Sequence, residues 1–426
     1  MRVRAQDAFA CEPGATIVVQ SLSDRRLRLR YALLVAPLVM LAPFSLDTYL
    51  PSFPAMAESL AVDSAAMQAT LSAYLVAFAL STLVTGPLSD AFGRRPVVLW
   101  ALFAYLLISA LLVVATAYWQ VVTLRILQGL AAATGVVVGR ALVRDRFDPT
   151  DARRVFALVT MVFSIGPAAA PIIGGWLQAG FGWRSVFAFL ALYGGVLLLA
   201  ARAFLPETLP PVGRVRSRPP AIVQGYLRTL RNPRFLRPVG VHAAMFGAMF
   251  IFIAASPTLI YEHLGGDERD FWWLFLPLVA GLLLGAFVAG RTAARLTPQA
   301  AVSIGLGLSG TALVLIGGGA WLDGPVVSIT GPFALYSFAL ATAMPSLTLL
   351  ALDCYPGARG MASAMQAFVQ LGISALLTLF LVDHLDDDPR HLVAGALVVW
   401  SVGALIWWLG GGPRDVPRAP AGGRPA

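Results

Sequence analysis

The chain has 426 residues, of which 58% are hydrophobic and 12% charged, and its mean hydropathy is +0.76. Soluble domains carry about 25% charge, so this composition excludes a soluble globular protein and indicates a polytopic membrane protein. The net charge of +9 does not indicate a nucleic-acid partner, because the basic residues, all of them Arg, are scattered among loops. Cys11 and Cys354 are the two cysteines, too few for a disulfide framework and without metal-ligand spacing. No cofactor, metal centre or catalytic residue is therefore expected.

Residues 1–30 hold Arg2, Arg4, Arg25, Arg26, Arg28 and Arg30 without the apolar core of a signal peptide. They read as a cytoplasmic tail. Span 1 covers about 31–53 and carries Asp47 within Ser45-Leu46-Asp47-Thr48-Tyr49-Leu50-Pro51. Span 2, about 65–88, and span 3, about 96–117, flank the charged turn Gly86-Pro-Leu-Ser-Asp90-Ala-Phe-Gly93-Arg94-Arg95. Each flank is long enough for the roughly 20 helical residues that cross hydrocarbon. Gly86 is expected to let span 2 approach another helix closely, and Pro96 suits a first helical turn.

Span 4, about 118–141, contains Arg125 and Gln128 and exits through Arg140, Arg144 and Asp145. Span 5, about 155–178, carries Gly166-Pro167-Ala-Ala-Ala170-Pro171-Ile-Ile-Gly174-Gly175, and span 6 ends near Phe204. Residues 206–237 form a basic, proline-rich linker with a short amphipathic helix expected near Val223–Leu230. Spans 7 to 12 follow at about 239–261, 271–290, 298–321, 325–350, 360–382 and 391–410. The Pro-, Gly- and Arg-rich tail 411–426 reads as disordered. The organisation is thus a tail (1–30), a six-helix half (31–205), a linker (206–237), a second half (238–410) and a tail (411–426).

Alternate loops differ in charge. One set holds Glu58, Asp63, Glu262, Asp267, Glu268, Asp270, Asp323 and Asp386–Asp388, with Arg184, Arg269 and Arg390 its only basic residues. The other set holds nearly all remaining Arg, which places it and both termini on the cytoplasmic side.

Asp47 is the sharpest candidate, since a carboxylate at the centre of a span costs about 2.5 kcal/mol or more. At 1.5 Å per residue it falls roughly 9 Å below the outer end of span 1, and Arg125 roughly 10 Å below the same surface. Two readings stay open: a buried salt bridge joining spans 1 and 4, or a proton-carrying carboxylate tuned by Arg125 and substrate. His242 in span 7 is either a second protonation site or a packing residue. Tyr49, Tyr74, Phe78, Gln128, His242 and Phe246 are candidates to line a cavity.

The turn resembles the loop 2–3 signature of the major facilitator superfamily, matching at Gly86, Asp90, Gly93, Arg94 and Arg95; Ala91 departs, standing where a basic residue is usual. Further segments resemble the Bcr/CflA drug:proton antiporters. They are Leu46-Asp47-Thr-Tyr49-Leu-Pro51-Ser-Phe-Pro54, Arg125-Ile-Leu-Gln128-Gly129, Ala170-Pro171-Ile-Ile-Gly174-Gly175, Gly182-Trp183-Arg184 and Pro206-Glu207-Thr208. The resemblance implies an all-α fold of twelve spans in two halves, working by alternating access in a bacterial inner membrane as a monomer. It implies that Asp47 and Arg125 couple protons to export of drug-like small molecules. The span 5 repeat, at Gly166, Pro167, Pro171, Gly174 and Gly175, lies by the same resemblance at the interface of the halves; Ala170 replaces a common Gly. It further implies a latch in which Asp90 approaches the start of span 11 near Gly360 and Arg94 pairs with Asp145. There are three rivals. One is a metabolite or sugar carrier of the same fold. Another is a polytopic enzyme, which the dispersed histidines 242, 263, 384 and 391 disfavour. The third is a non-transporting sensor, for whose soluble domain no segment here is long enough.

Overall fold

The computed structural model describes residues 25–209, 219–293 and 295–410. The expectations for most of the N-terminal tail, for Cys11 and for the tail 411–426 lie outside these residues. An apolar segment in hydrocarbon has no water to pair its N–H and C=O groups, and so winds into helix. Among the described residues there are twelve helical stretches long and apolar enough to span a membrane. Spans 1 to 6 are Arg28–Leu60, Ser64–Phe92, Arg94–Val113, Tyr118–Arg146, Arg154–Phe181 and Trp183–Phe204. Spans 7 to 12 are Pro233–Ala254, Trp272–Thr292, Pro298–Trp321, Val326–Leu352, Pro356–His384 and Pro389–Leu409.

The boundaries sharpen the sequence reading in three places. Helix runs through Gly86 to Phe92 and resumes at Arg94, so the charged turn is a break of one residue. Gly93 adopts φ 100°, a conformation that any side chain would strain. Gly86 does not serve a close approach: a β-carbon there would lie 3.9 Å from Val137, an ordinary contact. Span 7 begins at Pro233, not near 239, with Asn232 accepting a hydrogen bond from the Arg234 amide. Span 1 is interrupted. Its helix ends at Asp47, a short 3-10 turn covers Leu50–Ser52, and helix resumes over Phe53–Leu60.

Spans 3, 6, 9 and 12 present large apolar residues outward. Phe103, Leu107 and Leu111 lie along one stripe, and Val398, Val402 and Leu405 along another. Such faces meet lipid. The halves meet along span 2 against span 11 and span 5 against span 8. We call the side bearing Gly93 the turn face and its opposite the far face. At the far rim the Gln68 amide donates to the Ala254 carbonyl at 2.9 Å, and the Tyr261 hydroxyl to the Pro51 carbonyl at 2.6 Å. Both bonds cross between halves.

On the turn face the linker helix, Pro219–Leu230, extends the amphipathic segment expected from Val223. It sets Tyr226 and Leu230 inward and leaves Val223, Leu227 and Arg228 exposed. Its Tyr226 hydroxyl donates to the Leu83 carbonyl of span 2 at 2.8 Å.

Candidate functional site

Span 1 unwinds where its sequence turns to Thr48-Tyr49-Leu50-Pro51. Pro51 offers no N–H to continue the helix and restricts the residue before it. The Thr48 hydroxyl folds back to donate to the Phe44 carbonyl at 2.5 Å. Asp47 is therefore the last residue of its helix, only 4% exposed. Among the described residues no hydrogen bond or ion pair reaches its carboxyl group.

Arg125, fully buried in span 4, is held by spans 1 and 2 and by its own helix. Its guanidinium lies between the rings of Tyr49, at 4.1 Å, and Tyr74, at 4.3 Å. Desolvated cation–π contacts contribute about 2 kcal/mol each. Its Nη1 donates to the Ser45 carbonyl at 2.9 Å and to Gln128 Oε1 at 2.6 Å. Gln128 in turn donates to Ser109 Oγ of span 3 at 2.9 Å, and the Ser45 and Tyr105 hydroxyls share a hydrogen bond of 2.6 Å. The expected direct pair between Asp47 and Arg125 is not formed. Two rings cover the faces of the guanidinium, and a carbonyl and an amide take part of its edge. Its Nε and Nη2 have no partner among the described residues. The site thus holds a guanidinium with spare donors, bound to the Ser45 carbonyl, and two residues further along span 1 a buried carboxyl without a donor.

Span 5 closes the other side. A β-carbon at Gly174 would fall 1.8 Å from the Thr48 carbonyl oxygen, and one at Gly175 would fall 1.8 Å from the Glu268 carbonyl. The first contact seats span 5 on the break after Asp47; the second joins it to the opposite half. Gly166 meets the Pro43 ring, and the helix continues through Pro167 and Pro171.

On the turn face, Arg94 bridges two carboxylates, Asp90 at 2.6 Å and Asp145 at 3.0 Å, and donates to Ser89 Oγ at 2.5 Å. The expected Arg94–Asp145 pair is thus present. Asp90 is committed to Arg94 within its own turn, and no hydrogen bond from it to the Gly360 end of span 11 is formed. Arg95 donates to the Arg202 carbonyl. Glu207 has a role that spacing did not reveal. Its carboxylate accepts the backbone N–H groups of Arg94 and Arg95, at 3.0 and 3.3 Å, capping span 3 where the helix dipole favours negative charge. Thr208 adds a hydroxyl to Asp145 at 3.1 Å.

Of the remaining cavity candidates, Phe78 packs beside Tyr74 with ring centroids 6.0 Å apart, and Phe246 stacks on Phe250 at 5.8 Å. His242 is buried in the second half, its Nδ1 2.7 Å from Gln366 Nε2, and Gln366 also donates to Thr348 Oγ1 at 2.9 Å. Sequence reasoning missed Gln366, Thr348, Ser45 and Ser109. An amide inside the apolar run of span 11 was the available signal for Gln366. No group of His, Cys, Asp and Glu suited to a metal exists among the described residues. A polar cavity of about 500 Å³ lies on the far face between Asp323, Asp388 and Arg390, and Asp47 is not among its lining residues.

Residues 35–378 match the model of the Major Facilitator Superfamily. A bicyclomycin resistance protein homolog of Haemophilus influenzae is 29% identical, covering 87% of this chain and 94% of the relative. A chloramphenicol resistance protein of Pseudomonas aeruginosa is 29% identical over 76% of this chain and 78% of its own length. Among solved structures, a D-xylose-proton symporter superposes with a TM-score of 0.68 at 15% identity, covering 89% of this chain and 97% of its own. That likeness is one of fold.

Proposed function

Because the chain belongs to the Major Facilitator Superfamily, a family of carriers and not enzymes, we propose that it exports amphipathic drug-like molecules in exchange for protons. The sequence similarity to drug-resistance proteins supports the cargo class. The observation that carries the coupling is Asp47: a carboxyl buried in a span, without a donor or cation on it, beside an arginine with free N–H groups. A charged carboxylate in that place is costly. It binds a proton while the site is dry and releases it when cargo and water enter and Arg125 can reach it. Drug and proton then displace one another.

In this reading the turn face is cytoplasmic, as its Arg-rich loops support, and the membrane is the bacterial inner membrane. The protein works as a monomer, its two halves rocking about the site. The span 5 contacts seal the site between halves. The Arg94 cluster steadies the turn face.

The test is Asp47→Asn, which fixes the neutral shape of the carboxyl. In proteoliposomes the variant should lose gradient-driven efflux while accumulating in the membrane like the parent. Purified protein should release no protons when drug is added. A well-expressed Asp47→Asn variant that still releases protons would move the coupling role elsewhere.

A further inference from the structure

The second half contains a polar pair that neither coupling nor the latch uses. His242 is 3% exposed and Gln366 6%, and in each one side-chain atom, His242 Nε2 and Gln366 Oε1, lacks a partner among the described residues. Both hydrogens of the Gln366 amide are engaged, one on His242 Nδ1 and one on Thr348 Oγ1. Nδ1 then accepts, so a neutral imidazole carries its hydrogen on Nε2. The pair presents one free donor and one free acceptor. Turning the amide over exchanges the two roles: His242 Nε2 then accepts and the two hydrogens of the Gln366 amide are free to donate. Complementarity to a group offering both a donor and an acceptor survives either assignment.

The pair also faces inward. Gly240 is turned toward span 12, where a β-carbon would meet Ile406 at 3.5 Å, and Gly247 lies between spans 11 and 12, where one would meet Leu377 at 2.7 Å and Val399 at 3.7 Å. Ala244 lies against Gly403 of span 12. At 3.6 residues per turn, His242, Phe246 and Met249 occupy the opposite face of span 7, away from that lipid-facing helix. Gln366 comes from span 11, which packs on span 2 of the other half. Buried polar groups without partners are costly unless water or a ligand meets them.

We infer that His242 and Gln366 form a subsite in the second half that takes a neutral hydroxyl or amide group of the transported molecule, with the Phe246–Phe250 stack as its apolar wall. This rests on the efflux reading above. It assigns His242 to recognition and leaves proton exchange to Asp47.

The test compares two probes in proteoliposomes holding the full chain. Chloramphenicol carries hydroxyls and an amide; tetraphenylphosphonium carries no hydrogen-bonding group. His242→Leu and Gln366→Met should each raise the KM for chloramphenicol about tenfold, the loss of one buried hydrogen bond, with maximal rate and phosphonium transport little changed. His242→Gln, which keeps a donor, should restore much of the affinity. Protons released per chloramphenicol bound should stay at the parental value in all three variants. A parallel loss for both probes, an unchanged chloramphenicol KM, or altered proton release would each overturn the subsite. Where His242→Leu does not accumulate in membranes, Gln366→Met decides. A parent protein that moves neither probe along a proton gradient would overturn the efflux reading, and the subsite with it.

Discussion

Arg94 binds two carboxylates that differ in surroundings, and the difference sets their contributions. The side chain of Asp90 is 48% exposed and that of Asp145 23%, while Arg94 itself is 10% exposed. An exposed pair contributes about 0.2–1 kcal/mol, since water and salt screen it. A shielded charged hydrogen bond contributes about 1.5–3 kcal/mol. Asp145 also receives the Thr208 hydroxyl. Thermal unfolding of purified protein should therefore rank the variants: Arg94→Ala lowest, Asp145→Asn next, Asp90→Asn close to the parent. An Asp90→Asn protein as unstable as Arg94→Ala would show that Asp90 has a stronger partner than Arg94. Arg94→Lys is no conservative exchange here, because an ammonium lacks the fork that spans both acids.

Among the elements, span 5 is fitted tightly at Gly174, and the glycines of this chain separate sharply when a methyl group is imagined on each. At Gly174 the new carbon would overlap a backbone carbonyl that cannot yield without moving span 1. Overpacking of this kind costs about 1–3 kcal/mol. At Gly86 the same carbon fits, and an alanine within a helix gains up to about 1 kcal/mol over glycine. Gly174→Ala should lower the thermal midpoint and slow efflux, and Gly86→Ala should do neither. The reverse order would remove the seat of span 5 on the Thr48 carbonyl from the account of the site. Sequence alone marks both glycines by motif and cannot rank them. The spans themselves were legible because length and apolarity decide helix in hydrocarbon. The break after Asp47 was not, since Pro51 and Pro54 fit a helix that ends as well as one that resumes. Arg125 was legible as a charge in span 4 at the depth of Asp47. Its stacking between Tyr49 and Tyr74 depends on which faces three helices turn to one another, which spacing leaves open. Gly93 was legible in kind, as the glycine of a turn; its φ of 100° shows how little chain that turn needs.

For the whole molecule the relevant contacts are those that must break when the halves rock. The far rim is joined by the Gln68 and Tyr261 hydrogen bonds. Two such bonds contribute about 2 kcal/mol together, so removing both shifts the ratio of closed to open rim about 30-fold. Spin labels at Ser59 and Glu262, both exposed on this side, would report it in a chain without its own cysteines. In Gln68→Leu with Tyr261→Phe, the distance distribution should move toward the longer, open population. An unchanged distribution would mean that apolar packing alone holds the rim. Hydrogen bonds this few are within reach of thermal fluctuation. Under the proposed exchange of drug for protons, the gradient then acts less as a lever than as a ratchet: it selects, among excursions the molecule makes unaided, those that end with cargo outside.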